Sequence, residues 1–497
     1  MRIIFSIIVS FFFFASFSQS KYWVVLDEEK CGKCVDQFSI WLNNEGVEVA
    51  NQSKWLHAVS VVVEEQYLSK IKNHEWVVTT TLVPSYEINT YESGDGKVEF
   101  VDVLEQVNAF AFANAGIDGT GVKVGVIDAG FVDVDSNEFF KHLHERGGIV
   151  AVRDFIELER TDFYTKKTAG CTHGREVLKR ITGIDQSKNL VYGMANGANF
   201  YLARTENGDK EERVEEDNWV AAIEWMYENG VRLVNTSLGY GNDFDDPNEN
   251  YITRQMDGNT AMITKAAQIA VRDKGMIIVV SAGNNGRKEW QIVTAPGDCK
   301  EVITIGATSK TSFSKIGYSS IGADFVNYIK PDVSCYSPSG TSYSAPIITG
   351  MVACMLQIDS TLTSEQVKSY LSQASHLYPF ANNYLGYGVP NSQKVMDLIK
   401  GEKIKSSYKV ENANGEVELS VELPKETETV VLFHKSDQWK VLRQEVEKVT
   451  VSKSSKRSSE PQLFYKEDGK LYMKIYRLPD YNYTTLQAGE ELIEIKW

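Results

Sequence analysis

Residues 337–357 read "SPSGTSYSAPIITGMVACMLQ". Gly340, Thr341, Ser342, Ser344, Ala345 and Pro346 crowd together directly before an apolar run of helical length. Small residues side by side mean a turn, and a turn that feeds a buried helix must bring backbone close to its neighbours. Gly340 permits that approach. Pro346 falls in the first helical turn, where a missing N–H costs little, and the positive end of the helix dipole points at Ser342. Ser342 is then either an N-cap or a nucleophile. A nucleophilic serine needs a base within hydrogen-bond reach and a third group to orient that base, so its partners decide.

Upstream of this turn, short apolar strands alternate with helical segments. "GVKVGVID" (121–128), "ANFYLART" (198–205), "VRLVNTSLG" (231–239), "MIIVVSAG" (276–283) and "EVITIGA" (301–307) read as strands. "NWVAAIEWMYENG" (218–230) and "AMITKAAQIAVRDKG" (261–275) read as helices between them. Continuous apolar strands interleaved with helices predict a parallel sheet covered on both faces, with reactive groups at the carboxyl ends of the strands. Asp128, Ser237 and Asn284 stand at such ends. Asp128 needs a partner to offset its desolvation. Asn284 is either a turn residue or a side-chain donor to an oxyanion.

Seven histidines offer a base. His57 and His74 lie near the N-terminus, His434 near the C-terminus, and His376 follows a helix end and reads as a surface residue. His142 and His144, in "KHLHERGG" (141–148), lack the partners typical of metal ligation and read as a solvated face. His173, in "GCTHGREVLKRITG" (170–183), precedes Gly174 and opens an amphipathic run. A helix N-terminus disfavours imidazolium and keeps the ring available as a base. The chain order Asp128, His173, Asn284, Ser342 carries specific meaning, because Asp…His…Ser is one of three unrelated orders of the same catalytic constellation.

On these residues the chain resembles the subtilisin-like serine peptidases, the S8 or subtilase family. "GVKVGVIDAGF" (121–131) is similar to the family's aspartate motif, "THGREVL" (172–178) to its histidine motif and "VNTSLG" (234–239) to its substrate-binding strand. "SAGNNG" (281–286) is similar to the oxyanion motif and "GTSYSAP" (340–346) to the nucleophile motif, with "IKPDV" (329–333) and "GYGVP" (386–390) also matching. The likeness covers roughly residues 100–400. It implies Ser342 as nucleophile, His173 as base and then acid, Asp128 as its orienting partner, and Asn284 with the Ser342 N–H as oxyanion donors. It implies that Ser237, Leu238 and Gly239 pair with the substrate backbone as an added strand, and that Ala282 and Gly283 line the pocket for the residue before the scissile bond. The implied activity is serine endopeptidase, with protein or peptide substrates and no metal in the chemistry.

The predicted fold class is α/β: a three-layer catalytic domain over 100–400 with a mostly parallel sheet. A small α+β unit over 20–95 precedes it, and a β accessory domain over 401–497 follows. "MRIIFSIIVSFFFFASFSQS" (1–20) has one basic residue, an apolar stretch and small residues at Ser16 and Ser18, and residues 1–19 read as a cleaved secretory signal. The run is short for a membrane span, and no span is expected after signal removal. The protein is therefore expected outside the cytoplasm: secreted, periplasmic or on the cell surface. A compact unit between a signal and the polar stretch "YESGDGK" (91–97) reads as a removable pro-segment and intramolecular inhibitor, and the resemblance implies a zymogen. A net charge of −15 argues against nucleic acid.

Six cysteines fit an oxidising compartment. "CGKC" (31–34) is compatible with a local disulfide, Cys354 reads as a buried small hydrophobe, and Cys171 pairs with Cys335 or either pairs with Cys299. Arg175 departs from the threonine of the family motif, and its charge beside His173 favours a rival reading as a catalytically impaired binding or scaffold protein. An esterase using the same residues would leave the substrate strand unused. The segment "SCYSPS" (334–339) is short and leaves one side of the cleft open. Structural calcium is a family habit, and the acidic stretch "GNDFDDPNEN" (241–250) fits no calcium-loop spacing.

Overall fold

The computed structural model describes residues 19–27, 34–83, 99–165, 170–404, 408–422, 429–448, 463–467 and 470–497. Residues 1–18 of the signal segment, Cys31, the stretch 91–97 and the polar stretch "VSKSSKRSSEPQ" (451–462) lie outside the described residues. The chain forms two compact units, Met1–Pro84 and Ser85–Trp497.

The first unit is α+β. Strands β1 (Gln19–Leu26), β2 (Glu48–Ser53), β3 (Ala58–Glu64) and β4 (Val77–Val83) form an antiparallel sheet in the order β2-β3-β1-β4. The helix Cys34–Asn44 buries Phe38 and Leu42, and the helix Glu65–Lys72 buries Leu68 and Ile71, in one core with Val24, Val59 and Val61.

The second unit is built on a seven-stranded sheet. Its strands are β5 (Lys123–Asp128), β6 (Ile149–Asp154), β9 (Asn199–Arg204), β10 (Leu233–Thr236), β11 (Ile277–Ser281), β12 (Ile303–Thr308) and β13 (Val333–Tyr336), with a small hairpin of β7 (Ile184–Asp185) and β8 (Leu190–Val191) outside it. The order is β13-β12-β11-β10-β5-β9-β6, and all the pairings are parallel. Every residue of β10, β11 and β12 is buried, as a sheet covered on both faces requires. Register puts Asp128 opposite Arg204 and Ile127 opposite Thr236, so Asp128 and Ser237 emerge at the same edge.

The helix Ala345–Ile358 buries everything from Ala345 to Leu356 and packs on the helix His173–Thr182. The stretch Thr341–Ile358 is long and apolar enough to cross a membrane, and 83% of it is buried inside the protein as a core helix. Gly125 on β5 is required by packing, since a Cβ there would stand 2.7 Å from Met226 Sδ.

Beyond residue 401 the described residues form only strands and turns. β14 (Tyr408–Asn412), β16 (Thr429–Lys435), β17 (Val441–Lys448), β20 (Tyr483–Ala488) and β21 (Glu491–Lys496) make one sheet, and β15 (Glu416–Glu422), β18 (Leu463–Glu467) and β19 (Lys470–Tyr476) a second. This region docks on the α/β region through Val431, Phe433, Val441 and Leu492 against Leu377 and Leu385. Asn383 Oδ1 accepts from Val441 N–H at 2.9 Å, and Lys440 pairs with Asp324 at 2.8 Å.

Three expectations are corrected. Cys171, Cys299, Cys335 and Cys354 are all buried free thiols, so the pairings among the first three do not form. Cys335 sits inside the sheet with Sγ toward Ser344 O, and Cys299 Sγ donates to Glu301. His376 is not a surface residue. Its Nδ1 accepts from Val389 N–H at 2.8 Å, its ring meets Phe313, and burial pushes its pKa down to about 3. His142 is likewise held, by Thr182 Oγ1 at 3.2 Å, and burial lowers it to about 4, while His144 beside it is exposed.

Candidate active site

Asp128 ends β5 fully buried. Its Oδ1 accepts from Ala129 N–H at 2.8 Å and lies 2.7 Å from His173 Nδ1, while its Oδ2 has no hydrogen-bond partner. His173 opens the helix His173–Thr182. Gly174 lets that helix start descend onto β5, since a Cβ there would stand 2.5 Å from Gly130 O and 2.9 Å from Asp128 Cβ. The glycine after the histidine is therefore a requirement of the Asp128–His173 contact.

Burial pulls the His173 pKa down, but the charge of Asp128 and its hydrogen bond outweigh it, and the net direction is up from 6.5. Arg180 opposes the rise and Glu206 adds to it. Arg180 lies with its guanidinium carbon 3.8 Å from the centre of the Tyr343 ring, and that ring lies 5.5 Å from the His173 ring. Arg175 pairs with Asp133 at 3.5 Å and with Glu176 at 3.3 Å. Its charge is thus spent on carboxylates, and Arg180 is the cation that bears on His173.

Ser342 sits in a 3-10 turn, Thr341–Tyr343, and the α-helix proper begins at Ala345. Its hydroxyl donates to Ser237 O at 3.1 Å, and Ser237 Oγ donates to Ser342 O at 2.9 Å. Ser342 is thereby tied to the residue that leaves β10.

Asn284 is oriented by Thr341. The Thr341 N–H and hydroxyl both donate to Asn284 Oδ1, at 2.8 and 3.1 Å. With its oxygen engaged, the amide nitrogen is the end left to donate. Gly340 approaches that amide closely, its added Cβ standing 3.5 Å from Nδ2.

Beyond Ser237, Leu238 is half-buried and Gly239 exposed, so the segment leaves the sheet and presents backbone at the surface. Ala282 is buried and its N–H donates to Ile305 O at 2.9 Å. Gly283 has φ +98°, a left-handed conformation suited to glycine. The two segments converge on Thr294. Added Cβ atoms at Gly239 and Gly283 would stand 2.3 and 3.2 Å from Thr294 Oγ1, and this buried hydroxyl has no partner. Sequence reading missed Thr294, Arg180 and Glu206, which carry no motif and act only through the fold.

The carboxylates of 241–250 are engaged locally. Asp243 pairs with Lys288 at 3.0 Å, Asp246 accepts from Asn248 N–H at 2.8 Å, and Glu249 accepts from Arg213 N–H at 2.7 Å.

The parallel sheet, the buried Asp–His pair at its edge and the serine turn before a core helix define a serine endopeptidase of the subtilisin type. The chain belongs to the subtilase family, whose model matches residues 119–388. It is 24% identical over 363 residues to subtilisin NAT of Bacillus subtilis subsp. natto, covering 71% of this chain and 84% of that one. It is 28% identical over 270 residues to subtilisin DY of Bacillus licheniformis, covering 52% and 85%. Among solved structures it is similar in fold to the epidermin leader peptide processing serine protease of Staphylococcus aureus. That match has a TM-score of 0.56 and 16% identity, and covers 78% of this chain and all of that one.

Proposed function

We propose that this chain is an exported endopeptidase made as a zymogen. Ser342 attacks the scissile carbonyl while His173 takes its proton, then returns it to the leaving amine. Asp128 holds the His173 ring and stabilises its charged form. Asn284 Nδ2 and the Ser342 N–H hold the oxyanion, a contribution of about 3–4 kcal/mol for a side-chain donor. Ser237, Leu238 and Gly239 pair with the substrate backbone, and Ala282 and Gly283 line the pocket for the side chain before the cut. Residues 1–19 direct export. Residues 20–95 inhibit the enzyme until it cuts itself within about residues 80–105, and 401–497 form an accessory β domain.

The observation that carries this reading is the 2.7 Å contact between His173 and Asp128 beside an asparagine whose oxygen is fixed by the neighbour of the candidate nucleophile. Arg175, the departure that favoured an impaired protein, is neutralised by Asp133 and Glu176. Labelling with a fluorophosphonate tests the proposal. Modification of Ser342, abolished by His173→Ala, supports it; modification of no serine, or labelling that His173→Ala leaves unchanged, overturns it.

A further inference from the structure

The two segments assigned to the substrate are both tied to the serine turn. Ser237 Oγ donates to Ser342 O at 2.9 Å, and Gly283 N–H donates to Thr341 Oγ1 at 3.0 Å. From there both run past one side chain, Thr294. An added Cβ at Gly239 would stand 2.3 Å from Thr294 Oγ1. One at Gly283 would stand 3.2 Å from the same oxygen and 3.1 Å from Ser320 Oγ. The slot between the segments therefore meets a hydroxyl that lies against both of its walls.

Thr294 is held in that place. It is 3% exposed, and the next residue, Ala295, exchanges both backbone hydrogen bonds with Tyr240, at 2.8 and 3.0 Å. Its methyl lies toward a different neighbour: an added Cβ at Gly241 would stand 2.9 Å from Thr294 Cγ2 and 3.2 Å from Trp290 Cζ2. A β-branched side chain has few χ1 choices, and this one directs its hydroxyl between Gly239 and Gly283. Ser320 Oγ accepts from Asn285 N–H at 3.1 Å, whereas Thr294 Oγ1 has no hydrogen-bond partner. A buried hydroxyl left unpaired costs free energy, which a ligand group able to bond it recovers.

We propose that Thr294 sets the preference for the side chain before the scissile bond, and that it selects a short, uncharged, hydrogen-bonding one: serine, threonine or asparagine. The inference rests on the endopeptidase reading above and adds a substrate class to it. A leucine or phenylalanine side chain needs the room that Thr294 takes up between the two glycine backbones, and Trp290 backs the Thr294 methyl. An alanine side chain fits, but it covers the Thr294 hydroxyl without bonding it and forgoes what serine gains. The groups that meet at Gly283 are the neutral hydroxyls of Thr294 and Ser320, so a charged side chain finds no counter-ion in them.

The test uses the exported enzyme and internally quenched peptides of one sequence that differ only in the residue before the cut: serine, alanine, leucine or phenylalanine. Mass spectrometry locates the cut bond, and fluorophosphonate labelling counts active sites. The proposal expects kcat/KM for serine at least about fivefold above alanine and at least about tenfold above leucine and phenylalanine. Thr294→Gly should raise leucine and phenylalanine at least about tenfold relative to serine. Thr294→Val keeps the shape and deletes the hydroxyl, so it should bring serine to within about twofold of alanine while phenylalanine stays excluded. The valine variant keeps the test open should Thr294→Gly fail to fold. An enzyme that labels and cuts equally well after serine, leucine and phenylalanine overturns the proposal, as does a serine-to-alanine ratio that Thr294→Val leaves unchanged. If no serine labels and no peptide is cut, the endopeptidase reading itself fails and the proposal falls with it.

Discussion

Two buried acidic places in the second unit are solved in opposite ways. Asp332, in "IKPDV", is met by Lys330 at 2.8 Å, Lys368 at 2.6 Å and the Thr304 N–H at 2.7 Å. Burial pushes its pKa up, but the two lysine charges and their hydrogen bonds outweigh it, and it ends below the ordinary carboxylate value. Around Glu206 no lysine pairs with the carboxylates among the described residues. Burial dominates there: Glu206 rises to about 7, and Glu211 and Glu215 are raised as well. The first place is complete within the chain, whereas the second takes up a proton or an outside cation.

The largest effect that sharpens this contrast is Asp332→Asn. It leaves Lys330 buried without its anion, and breaking a buried pair from one side costs about 3–5 kcal/mol. Urea unfolding should show that loss, whereas Glu215→Gln in metal-free buffer should leave stability unchanged or improved. Equal losses in the two variants would break the comparison.

The second effect concerns pH. A carboxyl group whose folded pKa is raised holds its proton longer in the folded state. Its stabilisation is full below the unfolded value near 4.5 and is lost as pH rises through about 7. Metal-free protein should therefore lose up to about 3 kcal/mol between pH 5 and 8, read as falling Tm. Asp332 acts in the other direction: its contribution is present above pH 4 and is lost on acidification through its lowered pKa.

A third effect links the acidic trio to catalysis. The proposed mechanism needs neutral His173, so kcat/KM should fall as pH drops through a midpoint above 6.5. Glu206 is one of the charges holding that midpoint up. Glu206→Gln should lower it by less than about one unit, and an unmoved midpoint would separate the two sites electrostatically. The smallest effect is expected from Arg175→Thr. The half-buried pairs of Arg175 with Asp133 and Glu176 leave little net field at His173, so kcat/KM should change by less than about threefold.

How much was legible beforehand follows the same physics. The parallel sheet was readable because β10, β11 and β12 are continuous apolar runs, and Asp128, His173, Asn284 and Ser342 could be proposed together because each sits in its own local motif. The acidic trio was not readable, since residues 206, 211 and 215 come from a strand end, a loop and a helix start that only the fold superimposes. Arg175 carried an apparent threat because its partner Asp133 lies 42 residues away. The cysteines misled for a related reason: Cys171, Cys299 and Cys335 are buried as free thiols, and composition cannot show that. His376 was misjudged because its cover, Phe313 and Val389, comes from distant segments.

The most direct test of the whole account is intact mass and N-terminal sequencing of the exported wild-type chain beside Ser342→Ala. The account predicts that wild type begins within about residues 80–105, while the variant keeps everything after the signal. If both chains retain residues 20–95 and neither cuts an unfolded protein substrate, Ser342 is not a working nucleophile and the zymogen reading is contradicted.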